Sequence, residues 1–277
     1  MTLPLQTMYL KHLSLTNFRK FTRLDIDIPR RVVVLAGANA QGKTSVLEAI
    51  YFLAAFTSFQ THADRQIVNF YEAKNNPLTV TRLVAEYQRS KSKHRLEARL
   101  ILEPLGVLNS QRLRKEILLD GVKRSVNEVV GHFNAVIFVP QMSQIVEGVP
   151  EDRRRYLNLA LAQSTPAYAR ILSEYTQALT QRNALLKLLG ERGGNSDQLE
   201  VWDETLARLG AQIILWRIEA IQQIERLASR VHHELTRGSE ILRLVYEPAF
   251  DPLPKPEGQL GLRIDTVVDR SRFDRLR

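Results

Sequence analysis

Residues 37–44 read Gly-Ala-Asn-Ala-Gln-Gly-Lys-Thr, with glycine at the first and sixth positions and a lysine and a hydroxyl at the end. That spacing suits a polyphosphate. The glycines let the backbone turn tightly, so that successive N–H groups point inward at an anion. Lys43 has the reach to meet the β- and γ-phosphates as a point charge. Thr44 has the hydroxyl to ligate a Mg²⁺ ion bridging the same phosphates. A helix starting near Thr44 adds the positive end of its dipole. The residues expected to hold a nucleotide are therefore Gly37, Ala38, Asn39, Ala40, Gln41, Gly42, Lys43, Thr44 and Ser45, with Thr44 as the metal ligand. The pattern carries this meaning after a buried strand and before an apolar helix, and both are expected. Val32–Ala36 is a continuous apolar run of the kind buried on both faces of a sheet. Val46, Leu47, Ile50, Tyr51 and Leu53 fall on a helical stripe.

Hydrolysis of a bound nucleotide needs more than the loop: a carboxylate to hold the metal and a group to orient water. Ala135–Val139 reads as another buried strand, but it runs into Pro140-Gln141 without an acid. Asp120 follows Leu118-Leu119, but Gly121 comes next and the pair reads as a hairpin turn. Asp265 follows Leu262-Arg263-Ile264 in a weak context. The catalytic residues are left unassigned by these patterns.

The charge points to an anionic partner. The 277 residues carry 39 Lys+Arg against 30 Asp+Glu, a net +9. Between Arg89 and Arg124 stand ten Lys/Arg and four acids, an excess of six that is most of the total. Two readings stay open for this stretch, which includes Arg112, Arg114 and Lys115: a groove for a DNA phosphate backbone, or the solvated outer face of a sheet. Arg153-Arg154-Arg155 is a second cluster, and such a run is more often a solvated helix face. The absence of cysteine excludes disulfides, thiolate metal sites and a cysteine nucleophile, and fits a reducing compartment. Ala49–Phe56, the longest apolar run near the start, is far short of the roughly 20 residues of a membrane span. The first residues lack the pattern of a secretory signal, so a cytoplasmic location and no membrane partner are expected. Met8 is a second candidate start.

Around the loop, Leu24, Ile26 and Ile28 alternate with polar residues, as in a half-buried strand. Leu96, Ala98, Leu100 and Leu102, then Arg114–Leu119 and Val122–Val126 about the Asp120-Gly121 turn, predict a β-meander. From about Glu151 the period becomes helical. Tyr168, Leu172, Tyr175, Leu179 and Leu186 precede a loop at 190–197. Trp202, Leu206, Leu209, Ile213, Trp216, Ala220, Ile224, Leu227 and Val231 come after it at spacings of three and four. The expectation is an antiparallel helical hairpin whose aromatics are core; stacking on nucleobases is the sharper alternative. A Pro/Gly-rich loop is expected over 250–261.

Several strings in combination resemble the RecF family of DNA replication and repair proteins. These are the start Met8-Tyr9-Leu10-Lys11-His12-Leu13-Ser14-Leu15-Thr16-Asn17-Phe18-Arg19-Lys20-Phe21, the loop with Ser45-Val46-Leu47-Glu48-Ala49-Ile50-Tyr51 after it, and Val136-Ile137-Phe138-Val139-Pro140. Val146-Glu147-Gly148, Arg153-Arg154-Arg155-Tyr156-Leu157, the stretch from Tyr175 through Leu179-Thr180-Gln181-Arg182-Asn183-Ala184-Leu185-Leu186-Lys187, and Trp202-Asp203 extend the likeness. It implies an α/β P-loop NTPase head of ABC/SMC type with a β-meander and a second, helical lobe. Three segments are expected: 8–160 as the head, 161–245 as the helical lobe, and 246–277 as the start of a return to the head. The resemblance also implies ATP with Mg²⁺, ATP-dependent homodimerisation of a complete chain, binding of duplex DNA near single-strand/double-strand junctions, and work with RecO and RecR in loading RecA at gaps. Gln141 and Gln144 lie near the place where related heads put a nucleotide-sensing glutamine. Arg153–Arg155 gain weight as DNA contacts because they match a family string.

The sequence departs from the family in two places. Gln141-Met142 stands where the family usually has an acidic pair after the proline. The family's signature segment, its Walker-B strand ending in Asp-Asp and the acidic loop beyond are not found before Arg277. If the chain is the whole product, weak or absent hydrolysis is therefore expected of it. Two other classes remain beside the repair factor: a small-molecule phosphotransferase, which uses the same loop, and a non-catalytic truncated remnant.

Overall fold

The computed structural model describes residues 8–30, 32–61, 63–105 and 111–247. The tail at 250–261, Asp265 and nearly all of the segment 246–277 lie outside them. The chain divides into two compact units, one ending at Arg153 and the other starting at Arg154.

The first unit is built on a six-stranded antiparallel sheet. Its strands are β1 (Met8–Phe18), β2 (Phe21–Asp27), β3 (Thr79–Arg89), β4 (Ser92–Pro104), β5 (Gln111–Leu119) and β6 (Val122–Arg124). They lie in the order β2-β1-β3-β4-β5-β6, so each inner neighbour except β1–β3 is also a neighbour in sequence. Alternation explains the two faces. Leu13 and Leu15 of β1, Leu83, Ala85 and Tyr87 of β3, Leu96, Ala98 and Leu100 of β4, and Ile117 of β5 turn to one side and are buried. Helix α1 (Lys43–Ala55) adds Val46, Ala49, Phe52 and Leu53 to that core. The β4–β5–β6 meander matches the sequence expectation. Its turn has Asp120 at φ 51° and Gly121 at φ 82°, the left-handed pair that a two-residue hairpin needs. Asp120 also accepts from the Arg95 amide (2.8 Å) and the His94 ring (2.8 Å), so its carboxylate is committed to the turn. Helices α2 (Phe70–Asn75), α3 (Val126–Val129) and α4 (Gln144–Glu147) are short connectors.

Two expected strands are corrected. Val32–Ala36 belongs to no strand, and Val32 and Val34 are each 82% exposed. Ala135–Val139 likewise belongs to no strand, with Val136 99% and Phe138 90% exposed, although Val139 is buried. A run apolar on both faces needs neighbours on both sides and cover above and below. Among the described residues the sheet is closed off by β2 and β6, and no strand runs beside either segment.

The second unit holds most of α5 (Pro150–Ser164), then α6 (Pro166–Arg192) and α7 (Glu200–Leu235). Helices α6 and α7 form the expected antiparallel pair, joined through Gly193 at φ 69° and a short 3-10 turn at Ser196–Leu199. Helix α6 continues through Gly190 to Arg192, three residues into the expected loop. Leu157, Leu161, Tyr168, Ile171, Leu209 and Ile213 form the core. Tyr168 is fully buried and meets Trp216 edge to face at 5.7 Å, so these rings are packing groups. With 36 residues against 27, α7 outruns α6, and Leu227 and Val231 of the apolar seam end up exposed. Among the described residues no helix is long and apolar enough to cross a membrane.

Candidate nucleotide-binding site

The loop at 37–44 opens directly into α1. Gly37 (φ 144°), Ala40 (φ 60°) and Gly42 (φ 94°) lie in the left-handed region, which turns the chain sharply enough to ring an anion. The first closed bond of α1 runs from the Val46 amide to the Gly42 carbonyl at 3.0 Å. The N–H groups of Lys43, Thr44 and Ser45 precede it and have no partner within the helix. They sit at the positive end of the dipole, as an anion site requires. Lys43 Nζ donates to the carbonyls of Gly37 (2.8 Å) and Ala38 (2.7 Å), which places its ammonium across the mouth of the loop. Asn39, Gln41 and Thr44 are exposed, while Ser45 is half-buried. Every residue of the expected nucleotide set is thus gathered at one helix start.

A Mg²⁺ ion at this place would take the Thr44 hydroxyl and phosphate oxygens, a ligand set that suits it. Among the described residues no cluster of three or more His, Asp or Glu is placed to hold a metal. Glu48, one turn along α1, is fully buried and otherwise engaged. Its carboxylate accepts from Arg19 at Nε (2.8 Å) and Nη2 (2.6 Å), and from the Ser58 hydroxyl. This pair ties the tip of the β1–β2 hairpin to α1. Arg19 further donates from Nη1 to the Gln66 carbonyl (2.9 Å) and from its amide to the Ile67 carbonyl (2.8 Å). The neighbouring Lys20 donates its ammonium to the Ala40 carbonyl, inside the loop. Phe21 lies so close to Gly42 that an added Cβ would come within 2.5 Å of its Cζ. The motif pattern did not single out Arg19, Lys20, Phe21, Glu48 or Ser58. The signal available was the presence of both Asn17–Phe21 and Glu48 among the strings of the family resemblance.

The other candidates are dispersed. Gln141 lies in a 3-10 turn at Pro140–Ser143. Gln144 opens α4, where it is exposed and makes no side-chain hydrogen bond among the described residues. Arg112 and Arg114 project from the outer face of the sheet, whereas Lys115 projects from the opposite one. Lys115 pairs with Asp64 at 2.6 Å, donates to the Phe56 carbonyl at 2.8 Å and lies over the Phe52 ring. Arg114 is held by Glu103 (3.0 Å) and by Glu116. Arg112 is exposed and makes no ion pair among the described residues. Arg153 donates to the Gly148 carbonyl at 3.0 Å and more weakly to those of Ile145 and Val146, closing the end of α4. Arg154 is exposed and Arg155 half-buried, and each engages a neighbouring group. Three successive helical residues splay by about 100° each, so the run does not share one face. The basic excess on the outer face is largely neutralised. Glu97, 5% exposed, takes Arg82 (2.7 Å) and Arg99 (2.6 Å), and the Arg82 hydrogen bonds bring its carboxyl down to about 2.

Comparison with known proteins agrees with this geometry. Residues 8–135 match the family described as AAA ATPase domain. A DNA replication and repair protein RecF from an Exiguobacterium species is 33% identical over 270 residues, covering 98% of this chain and 68% of the relative. RecF from Herpetosiphon aurantiacus is 34% identical over 96% of this chain and 70% of its own length. A solved structure titled as the recombination mediator protein RecF-ATP in the RecFOR pathway superposes with a TM-score of 0.74 at 30% identity. A second, of RecF-ATPrS, gives 0.71. Both cover 84% of this chain, and the chain spans 59% of the length of each.

Proposed function

The chain belongs to the RecF family of DNA replication and repair proteins, and on that premise we propose that it is an ATP-binding recombination mediator acting on duplex DNA at single-strand gaps. The observation that carries the reading is the loop at the start of α1. Three left-handed residues, three unpaired helix N–H groups and the Lys43 ammonium converge on one place. Mg²⁺ supplies, when bound, neutralisation of phosphate charge, and Thr44 is the residue that would hold it. The division into an α/β head and a helical lobe gives the frame for ATP-dependent pairing of two copies and for partners of the RecO, RecR and RecA type, as in the RecFOR pathway that the solved relative's title names. The phosphotransferase reading finds no support at the loop, because Glu48 has its carboxylate filled.

Two measurements test the proposal together. ATP titrated into the protein is expected to bind with Mg²⁺ present, and Lys43→Ala to weaken it by about tenfold or more. Affinity for gapped duplex DNA, measured with ATP, is expected to fall steeply with salt as counterions are released. Arg112→Gln is expected to reduce that slope by about one charge, since Arg112 is exposed on the outer face and makes no ion pair among the described residues. ATP binding without any DNA affinity would reject the DNA half of the proposal and leave the nucleotide half.

A further inference from the structure

We propose that Lys20, at the tip of the β1–β2 hairpin, is a second phosphate-binding cation of the nucleotide site; this rests on the reading of residues 37–44 as a polyphosphate loop. The hairpin tip is built to hold one position. Asn17 and Arg19 both take left-handed backbone angles (φ 52° each), the Arg19 guanidinium is clamped on the fully buried Glu48, and the Arg19 amide is bonded to Ile67. Phe21 closes the other side by seating its ring on Gly42. Between these anchors Lys20 is exposed, and its ammonium reaches the Ala40 carbonyl at the left-handed turn of the loop.

Lys20 and Lys43 are in the same condition. Each ammonium is held by carbonyls of one loop, and neither has a carboxylate partner among the described residues. Two unneutralised positive charges beside the three N–H groups of one helix start form a site for a multiply charged anion. A carbonyl is a weak partner for an ammonium compared with a phosphate oxygen. A polyphosphate entering the loop therefore draws both lysines off the carbonyls and onto itself. The Lys43 ammonium rests on the carbonyls of Gly37 and Ala38 and the Lys20 ammonium on that of Ala40, so the two hold different points of one loop and can take different phosphates of one chain. The ligand class is a nucleoside di- or triphosphate, which carries a phosphate for each ammonium group, whereas a monophosphate carries one.

The test compares ATP, ADP and AMP binding to the full chain by calorimetry at several salt concentrations. Lys20→Gln is expected to weaken ATP by about tenfold and to lower its salt slope, and Lys20→Arg to bind within about twofold of the parent. Thermal melting without nucleotide is expected to be unchanged, because the side chain is exposed. Loss of AMP affinity equal to the loss of ATP affinity would overturn the assignment of the two lysines to different phosphates. Undiminished ATP binding in Lys20→Gln, alongside its loss in Lys43→Ala, overturns the proposal and leaves the loop reading standing. Failure of the parent protein to bind ATP overturns both.

Discussion

At Glu97 a single carboxylate organises the outer face of the sheet. It is nearly buried, and Arg82, Arg99 and, at 3.7 Å, Arg95 converge on it. The hydrogen bonds of Arg82 first, then of Arg99, bring its carboxyl from an ordinary 4.5 to about 2. A depressed value means that the carboxylate stabilises the fold fully above pH 4.5 and loses that contribution as pH falls toward 2. The difference sets an upper bound of about 3 kcal/mol, reduced because Arg82 and Arg99 are each partly solvated. Glu97→Gln is expected to lower the melting temperature at neutral pH and to flatten the acid limb between pH 4.5 and 2. Melting curves across that range check it, and an unchanged acid limb would remove Glu97 from the titration. The same ion pairs explain why the basic stretch counted in the sequence is not a free basic surface. A tally of charges is blind to which strand face each one leaves from, and Lys115 leaves from the opposite face to Arg112 and Arg114.

At the scale of elements, the β1–β2 hairpin, the loop and α1 act as one piece. The hairpin supplies Arg19, Lys20 and Phe21, and α1 supplies Glu48 and the helix start. Truncating Glu48 strands the Arg19 guanidinium against a fully buried site. Glu48→Ala is expected to cost about 3 kcal/mol in urea denaturation, the usual scale for removing one half of a buried ion pair. Gly42→Ala meets two obstacles, the left-handed backbone angle and the Phe21 ring, and is expected to cost about 1–3 kcal/mol and to weaken ATP binding. A Gly42→Ala protein as stable as the parent would show that the hairpin yields easily. Strands β4 to β6 were legible because their alternation is clean and Asp-Gly marks the turn. Strand β3 alternates as well, but Thr79 and Thr81 occupy its inward positions and hide the apolar period.

For the molecule as a whole, the apolar residues without cover are the feature with consequences in solution. Val32, Val34, Val136 and Phe138 stand exposed on two extended segments that no described strand pairs. Such surface promotes association and dye binding. The double variant Val136→Ser with Phe138→Ser is expected to reduce fluorescence of a hydrophobic dye and light scattering by about half or more, with little change in melting temperature, since neither side chain contributes to the core. Unchanged scattering would show that these residues are covered in solution. The exposed end of α7, with Leu227 and Val231, is a separate surface and serves as an internal comparison.

The sequence by itself determined the nucleotide loop, the meander and the helical pair. Each of these is local: eight consecutive residues, an alternation of two, a spacing of three and four. The tertiary structure decided whatever depends on residues far apart in the chain. It brought Lys20 to Ala40 and Arg19 to Glu48, because a hairpin tip and a helix start meet only once β1 pairs with β2 and β3. It spent Arg114 on Glu103 and Glu116, since opposite charges on one strand face find each other at short range, and Arg153 on the Gly148 carbonyl. It also left Val32–Ala36 and Ala135–Val139 outside the sheet. An apolar run states that a strand would be buried, but only a neighbouring strand can bury it.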